Sequence, residues 1–166
     1  LSISFLMLSV ALYFATGSLE ERKNIKHPTI TDKVTMKIAV EDGKTGQLVF
    51  GLYGQACPLT VENFIKLSTH EKGYGYKGSK FFMIFQRHMI MGGDIVNNNG
   101  TSGRSALDEP FENENLKLKH LVPGTLASIG LKNNSDSKKT SQFYITFDQT
   151  SAFDGAAVVF GRVIKG

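Results

Sequence analysis

Between Glu71 and Asp94 the sequence reads EKGYGYKGSKFFMIFQRHMIMGGD, and it brings an arginine, a histidine and an aspartate close together. His88 carries a ring that exchanges protons near neutrality, which suits acid/base work, but no carboxylate lies beside it in the chain. Asp94 follows Gly92-Gly93 and precedes Asn97 to Gly100, as in some metal and phosphate loops. No Lys-Ser/Thr pair or second carboxylate completes either site, so a structural turn is expected. Cys57, in QACPLT, stands before a predicted helix whose N-terminus would lower a thiol pKa. As the only cysteine it forms no internal disulfide, and a small buried side chain is the expected reading. No Cys/His cluster has zinc spacing, and neither a metal nor a cofactor is expected.

Four further runs accompany this segment: TVENFIKLS at Thr60 to Ser68, FENENLKLKH at Phe111 to His120, SQFYIT at Ser141 to Thr146, and FDGAAVVFGRV at Phe153 to Val163. In type, order and spacing they resemble the cyclophilin family of peptidyl-prolyl cis-trans isomerases, over roughly Val34 to Gly166. The resemblance implies a mainly β fold: an antiparallel eight-stranded barrel with capping helices and a substrate groove on its outer face. It also implies that the last helix and strand are missing, because the family continues beyond the position of Gly166.

Rotation about an Xaa-Pro bond is slow because amide resonance raises a barrier of about 18–20 kcal/mol. Catalysis needs an apolar pocket for the ring, anchors for the peptide carbonyls and a donor that stabilises the twisted state. In cyclophilins the pair after GYKGS-x-F is His-Arg, and the arginine is that donor. Here the pair is Phe82-Met83, and a thioether is only a weak acceptor.

Carried over by resemblance, His88 stands at a pocket phenylalanine, Met89 matches the family, and Met91 replaces a glutamine that anchors substrate backbone. Gln142 and Phe143 are kept, and Tyr144 replaces a phenylalanine of the proline pocket. Ala152 stands at a tryptophan, Phe153 at a leucine and Ala157 at a histidine, while Ile129-Gly130-Leu131 matches the strand that pairs with substrate backbone. The loop after it, Lys132 to Thr140, is longer than usual and carries three lysines. Loss of the Arg, Gln, His and Trp together implies relaxed selection for turnover, and loss of the Trp implies weak binding of the macrocycle cyclosporin.

These residues need a scaffold. Val34, Met36, Ile38 and Val40 alternate with polar residues as in a half-buried strand, and Glu41-Asp42-Gly43-Lys44 turns the chain into a second strand over Gln47 to Tyr53. Pro58 and a Thr60 N-cap open a short helix with Val61, Phe64, Ile65 and Leu67 on one face. Strands are predicted at Phe81 to Phe85, His88 to Met91, Thr125 to Ile129, Phe143 to Thr146 and Ala157 to Val163.

A chain of 166 residues with 41% hydrophobic and 20% charged residues fits one domain. Twelve Phe, no Trp and 17 Gly favour a turn-rich β protein with a ring-filled core. The net charge of +4 is scattered, without the aromatic-interleaved basic stripe of nucleic-acid binders, so no nucleic-acid partner is expected. Residues 1–17, LSISFLMLSVALYFATG, are uncharged and end in small residues, as in a cleaved signal peptide. An uncleaved membrane anchor is the alternative, since about 17 residues is the lower limit for a span. Residues 18–32 read as a linker and 33–166 as a cyclophilin-like domain, incomplete at its C-terminus. Entry into the secretory pathway makes the sequons at Asn99 and Asn133 candidates for N-glycosylation.

The leading expectation is a cyclophilin-like protein with a degenerate groove, binding extended or proline-containing polypeptide segments with weak or no turnover, and monomeric when complete. An active isomerase assisting folding of secreted proteins and a non-functional truncated paralogue are the alternatives.

Overall fold

The computed structural model describes residues 26–130 and 138–166. Residues 1–25, including the expected signal peptide or anchor and most of the linker, lie outside these, as do Leu131 and Asn133. Seven antiparallel strands form one curled sheet: β1 (Asp32–Ala39), β2 (Thr45–Leu52), β3 (Met83–Phe85), β4 (Met89–Gly92), β5 (Thr125–Gly130), β6 (Lys139–Thr146) and β7 (Val158–Lys165). Their lateral order is β1-β2-β7-β5-β6-β4-β3, an open half-barrel whose edges are β1 and β3. This agrees with the expected eight-stranded barrel lacking its last strand. One helix, α1 (Pro58–Thr69), is present among the described residues, as expected with the last capping helix missing, and no helix there is long and apolar enough to cross a membrane.

Period-two alternation gives the central strands two working faces. From β5, β6 and β7, Leu126, Phe143, Ile145, Val158 and Phe160 turn towards α1, where Val61 and Phe64 join them in a buried core. Phe64 is its hub, with ring centroids of Phe50, Tyr76, Phe143 and Phe160 between 5.1 and 5.8 Å away, mostly edge to face, the arrangement that ring quadrupoles favour. The intervening residues Ala127, Tyr144, Ala157 and Val159 turn the other way and gather with Tyr53 and Met89. That second cluster underlies the groove.

One expectation about α1 changes. Its N-cap position is Cys57, with Pro58 opening the helix, and Thr60 lies inside the first turn. Capping comes from far along the chain: the Glu114 carboxylate accepts from Leu59 N (2.8 Å), Thr60 N (2.6 Å) and the Thr60 hydroxyl (2.6 Å). A carboxylate at this end satisfies orphan donors and complements the helix dipole. Burial first, and then the Glu114 charge, push the Cys57 thiol up to about 12, so it stays a protonated filler despite its place at the helix start.

Candidate functional site

The site grows from the β3–β4 hairpin. Met83 pairs with Met91, Ile84 with Ile90 and Phe85 with Met89, so alternation sends Met83, Phe85, Met89 and Met91 to one face. Beside β4, β6 places Tyr144 opposite Met91. A cavity of about 720 Å³ opens there, and its floor and walls include Met83, Met89, Met91, Ile129, Tyr144 and Phe153.

A second wall is the loop after Asp94. Its fully buried carboxylate accepts from the backbone N–H groups of Val96, Asn97, Asn99, Gly100 and Ser102 at 2.9–3.2 Å and from the Ser102 hydroxyl at 2.8 Å. Burial works to raise the Asp94 pKa, but these donors outweigh it and hold the carboxyl far below its usual range. Gln142 ties this wall to the floor by donating from Nε2 to the carbonyls of Gly100 (3.0 Å) and Ser102 (2.6 Å). Gly100 is at φ +87°, and a Cβ there would come within 2.6 Å of the Phe82 ring, so only glycine lets that ring lie against the loop.

Of the residues singled out in the sequence, Phe82, Met83, His88, Met89, Met91, Ile129, Gly130, Gln142, Tyr144, Ala152 and Phe153 all border this cavity. Phe143 does not. It lies one residue out of phase with Gln142 and Tyr144 and packs into the α1 core against Phe64 and Tyr76. Ala157 is likewise buried in the layer beneath the groove, packed with Tyr144 and Val159. Among the described residues no group of three or more His, Cys, Asp or Glu is placed to hold a metal ion.

Arg87, His88, Asp148 and the phenol of Tyr144 are the charged or titratable residues bordering the cavity. Arg87 occupies the hairpin turn in the left-handed region at φ 65°, with His88 N–H donating to the Phe85 carbonyl (3.0 Å) to close the turn. It lies beyond the Phe85–Met89 pair, whereas Met83 sits at the Met91 pair over the floor. Phe85, Arg87, Asp148 and Thr150 also border the cavity, and no motif in the sequence marks them. Support lies below Tyr144, whose hydroxyl meets His120 Nε2 at 2.8 Å while His120 Nδ1 meets Asp154 Oδ1 at 2.8 Å. These two contacts span 24 and 34 residues of chain, and no local pattern announces either.

An exposed apolar groove on one face of a curled antiparallel sheet, with its wall built on a Gly-Gly-Asp turn, agrees with a match over most of the chain. Residues 35–166, from within β1 through β7, match the family described as Cyclophilin type peptidyl-prolyl cis-trans isomerase/CLD. The chain therefore belongs to the cyclophilin-type peptidyl-prolyl cis-trans isomerase family.

Proposed function

We propose that this protein binds extended, proline-containing segments of other polypeptides in the groove and turns them over weakly or not at all. The observation that carries this reading is Met83 at the Met91 pair over an apolar floor. Thioethers and rings accept a pyrrolidine ring by burial, and polarizable methionines adapt to varied neighbours. Twisting the imide out of resonance calls for a strong donor, and a thioether is none. Removing one such transition-state contact typically costs about 3 kcal/mol, or more than a hundredfold in rate.

Arg87 supports a second reading, an active isomerase in which the guanidinium reaches in from the hairpin turn. Isomerisation of a blocked Xaa-Pro peptide, measured with the wild type, Met83→Arg and Arg87→Ala, separates the two. The binder reading expects slow turnover that Arg87→Ala leaves unchanged and Met83→Arg raises. Fast turnover abolished by Arg87→Ala would replace it with the second.

We also place the protein in the secretory pathway, on the strength of the uncharged Leu1–Gly17 segment. Asn99, with Gly100 and Thr101 on the groove wall, is then a glycan acceptor. Translation of the chain with microsomes tests both: a product left open to protease contradicts luminal entry, and a protected product without a glycan contradicts Asn99.

A further inference from the structure

Positive charges that are scattered along the chain gather on one face when the strands pair. Lys33 of β1 lies opposite Gly51 of β2, which lies opposite Arg162 of β7. Two residues along, Thr35 lies opposite Val49 and Val49 opposite Lys165, and after two more Lys37 lies opposite Gln47. Paired residues, and alternate residues within a strand, share a side of the sheet, so Lys33, Lys37, Arg162 and Lys165 all leave it on the same side. With strands about 4.8 Å apart and about 3.4 Å per residue along each, the four spring from a patch of roughly 10 by 14 Å. That is close to the screening length of about 10 Å at 0.1 M salt, so an approaching anion feels them together.

No carboxylate answers them within these strands. The other paired positions on this side of β1 and β2 are Thr35, Ala39, Thr45, Gln47, Val49 and Gly51, while Asp32 falls in the alternate set with Val34 and Met36. Among the described residues none of the four cations makes an ion pair, whereas Lys44, Lys66, Lys72 and Lys138 each meet a carboxylate. The Arg162 guanidinium hydrogen-bonds Tyr53, but its buried Nε has no partner among the described residues. The middle of the patch is apolar. A Cβ on Gly51 would come within 2.5 Å of Ile30 Cδ1 and 3.1 Å of Ile164 Cγ2, so both isoleucines lie over that glycine, and Ile164 is 36% exposed.

We propose that this face of β1, β2 and β7 docks on an anionic lipid surface, the four cations meeting negatively charged headgroups and the isoleucines lying against the headgroup boundary. It is separate from the groove, whose lining draws no residue from these three strands. Headgroups diffuse sideways and settle under each cation of a two-dimensional array, while a single acidic peptide strand follows one line and leaves part of the array unmatched. Cations around an apolar centre are also the pattern of surfaces that rest in the membrane interface, where charge attraction and buried apolar area add. The uncharged run Leu1–Gly17 leads into the same strand β1, which brings an apolar stretch to this end of the sheet's sequence.

Co-sedimentation of the full chain with vesicles tests this, comparing pure phosphatidylcholine with phosphatidylcholine containing about 30% phosphatidylserine. Partition into the neutral vesicles sets the baseline for any apolar run, and the gain from phosphatidylserine reads the face. The gain is expected to fall about fivefold for each cation removed, hence about 25-fold in Lys33→Gln/Lys37→Gln, and to vanish near 0.5 M salt. Lys77→Gln, an exposed lysine outside these strands, should change it by about twofold at most. Urea midpoints verify that each variant is folded, and Lys165→Gln, with about a fivefold loss, carries the test should the double variant fail to fold. No gain from phosphatidylserine, a gain that the β1 and β7 variants keep, or an equal loss in Lys77→Gln overturns the proposal. Binding to polyglutamate in solution that depends on Lys33 and Lys37, with no gain on vesicles, assigns the face to acidic polypeptides and overturns it as well.

Discussion

At Asp94 one carboxylate does what a stretch of secondary structure does elsewhere. It accepts from the N–H groups of Val96, Asn97, Asn99, Gly100 and Ser102, donors that a loop would otherwise leave to water. The turn expected from Gly-Gly-Asp is therefore a full wall of the groove, completed by Gln142 from the floor. Asp94→Asn keeps the size but removes the charge and turns one acceptor atom into a donor aimed at other donors. The expected cost is about 3 kcal/mol, on the scale of lost charge-assisted bonds, with faster amide exchange confined to residues 96–102. Urea denaturation and hydrogen exchange measure the two. An unchanged midpoint with intact protection would show that the backbone holds the wall without the carboxylate.

Elements were legible where apolar residues recur at a fixed spacing or run together, and obscure where polar residues are buried. β1 alternates with a period of two, β2 and β7 carry apolar runs buried at one end of each strand, and the hydrophobic face of α1 stands out at Val61, Phe64 and Leu67. β6 was expected from Phe143 but begins at Lys139, because Lys139, Thr140, Ser141 and Gln142 are polar residues in a fully buried strand. Its neighbours explain the discrepancy: β4 and β5 pair with its two sides, and Asn63 of α1 donates to the Thr140 carbonyl at 2.7 Å. The cap of α1 was misread for the same kind of reason, since Glu114 is 54 residues from Thr60. Glu114→Gln retains an acceptor and loses the charge, and a cost of about 1 kcal/mol is expected by thermal or urea unfolding. Glu114→Ala should cost more, and equal losses in the two variants would assign the effect to packing.

For the whole molecule, the groove's membership was legible through the resemblance to the family, and hairpin alternation carries Met83, Met89 and Met91 to one face, while its electrostatic support was not legible, because it is assembled from distant residues. The same holds for stability against pH. Asp94 and Asp154 are held below the ordinary value of 3.8, so their stabilisation is present above that value and is lost as pH falls through it towards the folded values. Lys139 acts at the other end. It is fully buried, its ammonium has no hydrogen-bond partner among the described residues, and burial pulls its pKa from 10.5 down to about 8. Below about 8 the folded state carries the full penalty of a buried charge, and between 8 and 10.5 the unfolded chain binds more protons, so stability rises with pH. Above 10 the raised pKa values of Tyr53, Tyr76 and Tyr144 act in reverse, since those phenols ionise more readily once unfolded. Maximum stability is therefore expected between about pH 8 and pH 10, higher than the usual near-neutral optimum. Lys139→Met, similar in length and without the charge, should stabilise the protein by about 1–3 kcal/mol at neutral pH and flatten the rise above pH 8. Urea midpoints across the pH range for both proteins measure this. A wild-type maximum at or below neutrality, or a destabilised Lys139→Met, would show that the ammonium finds a partner in the folded chain.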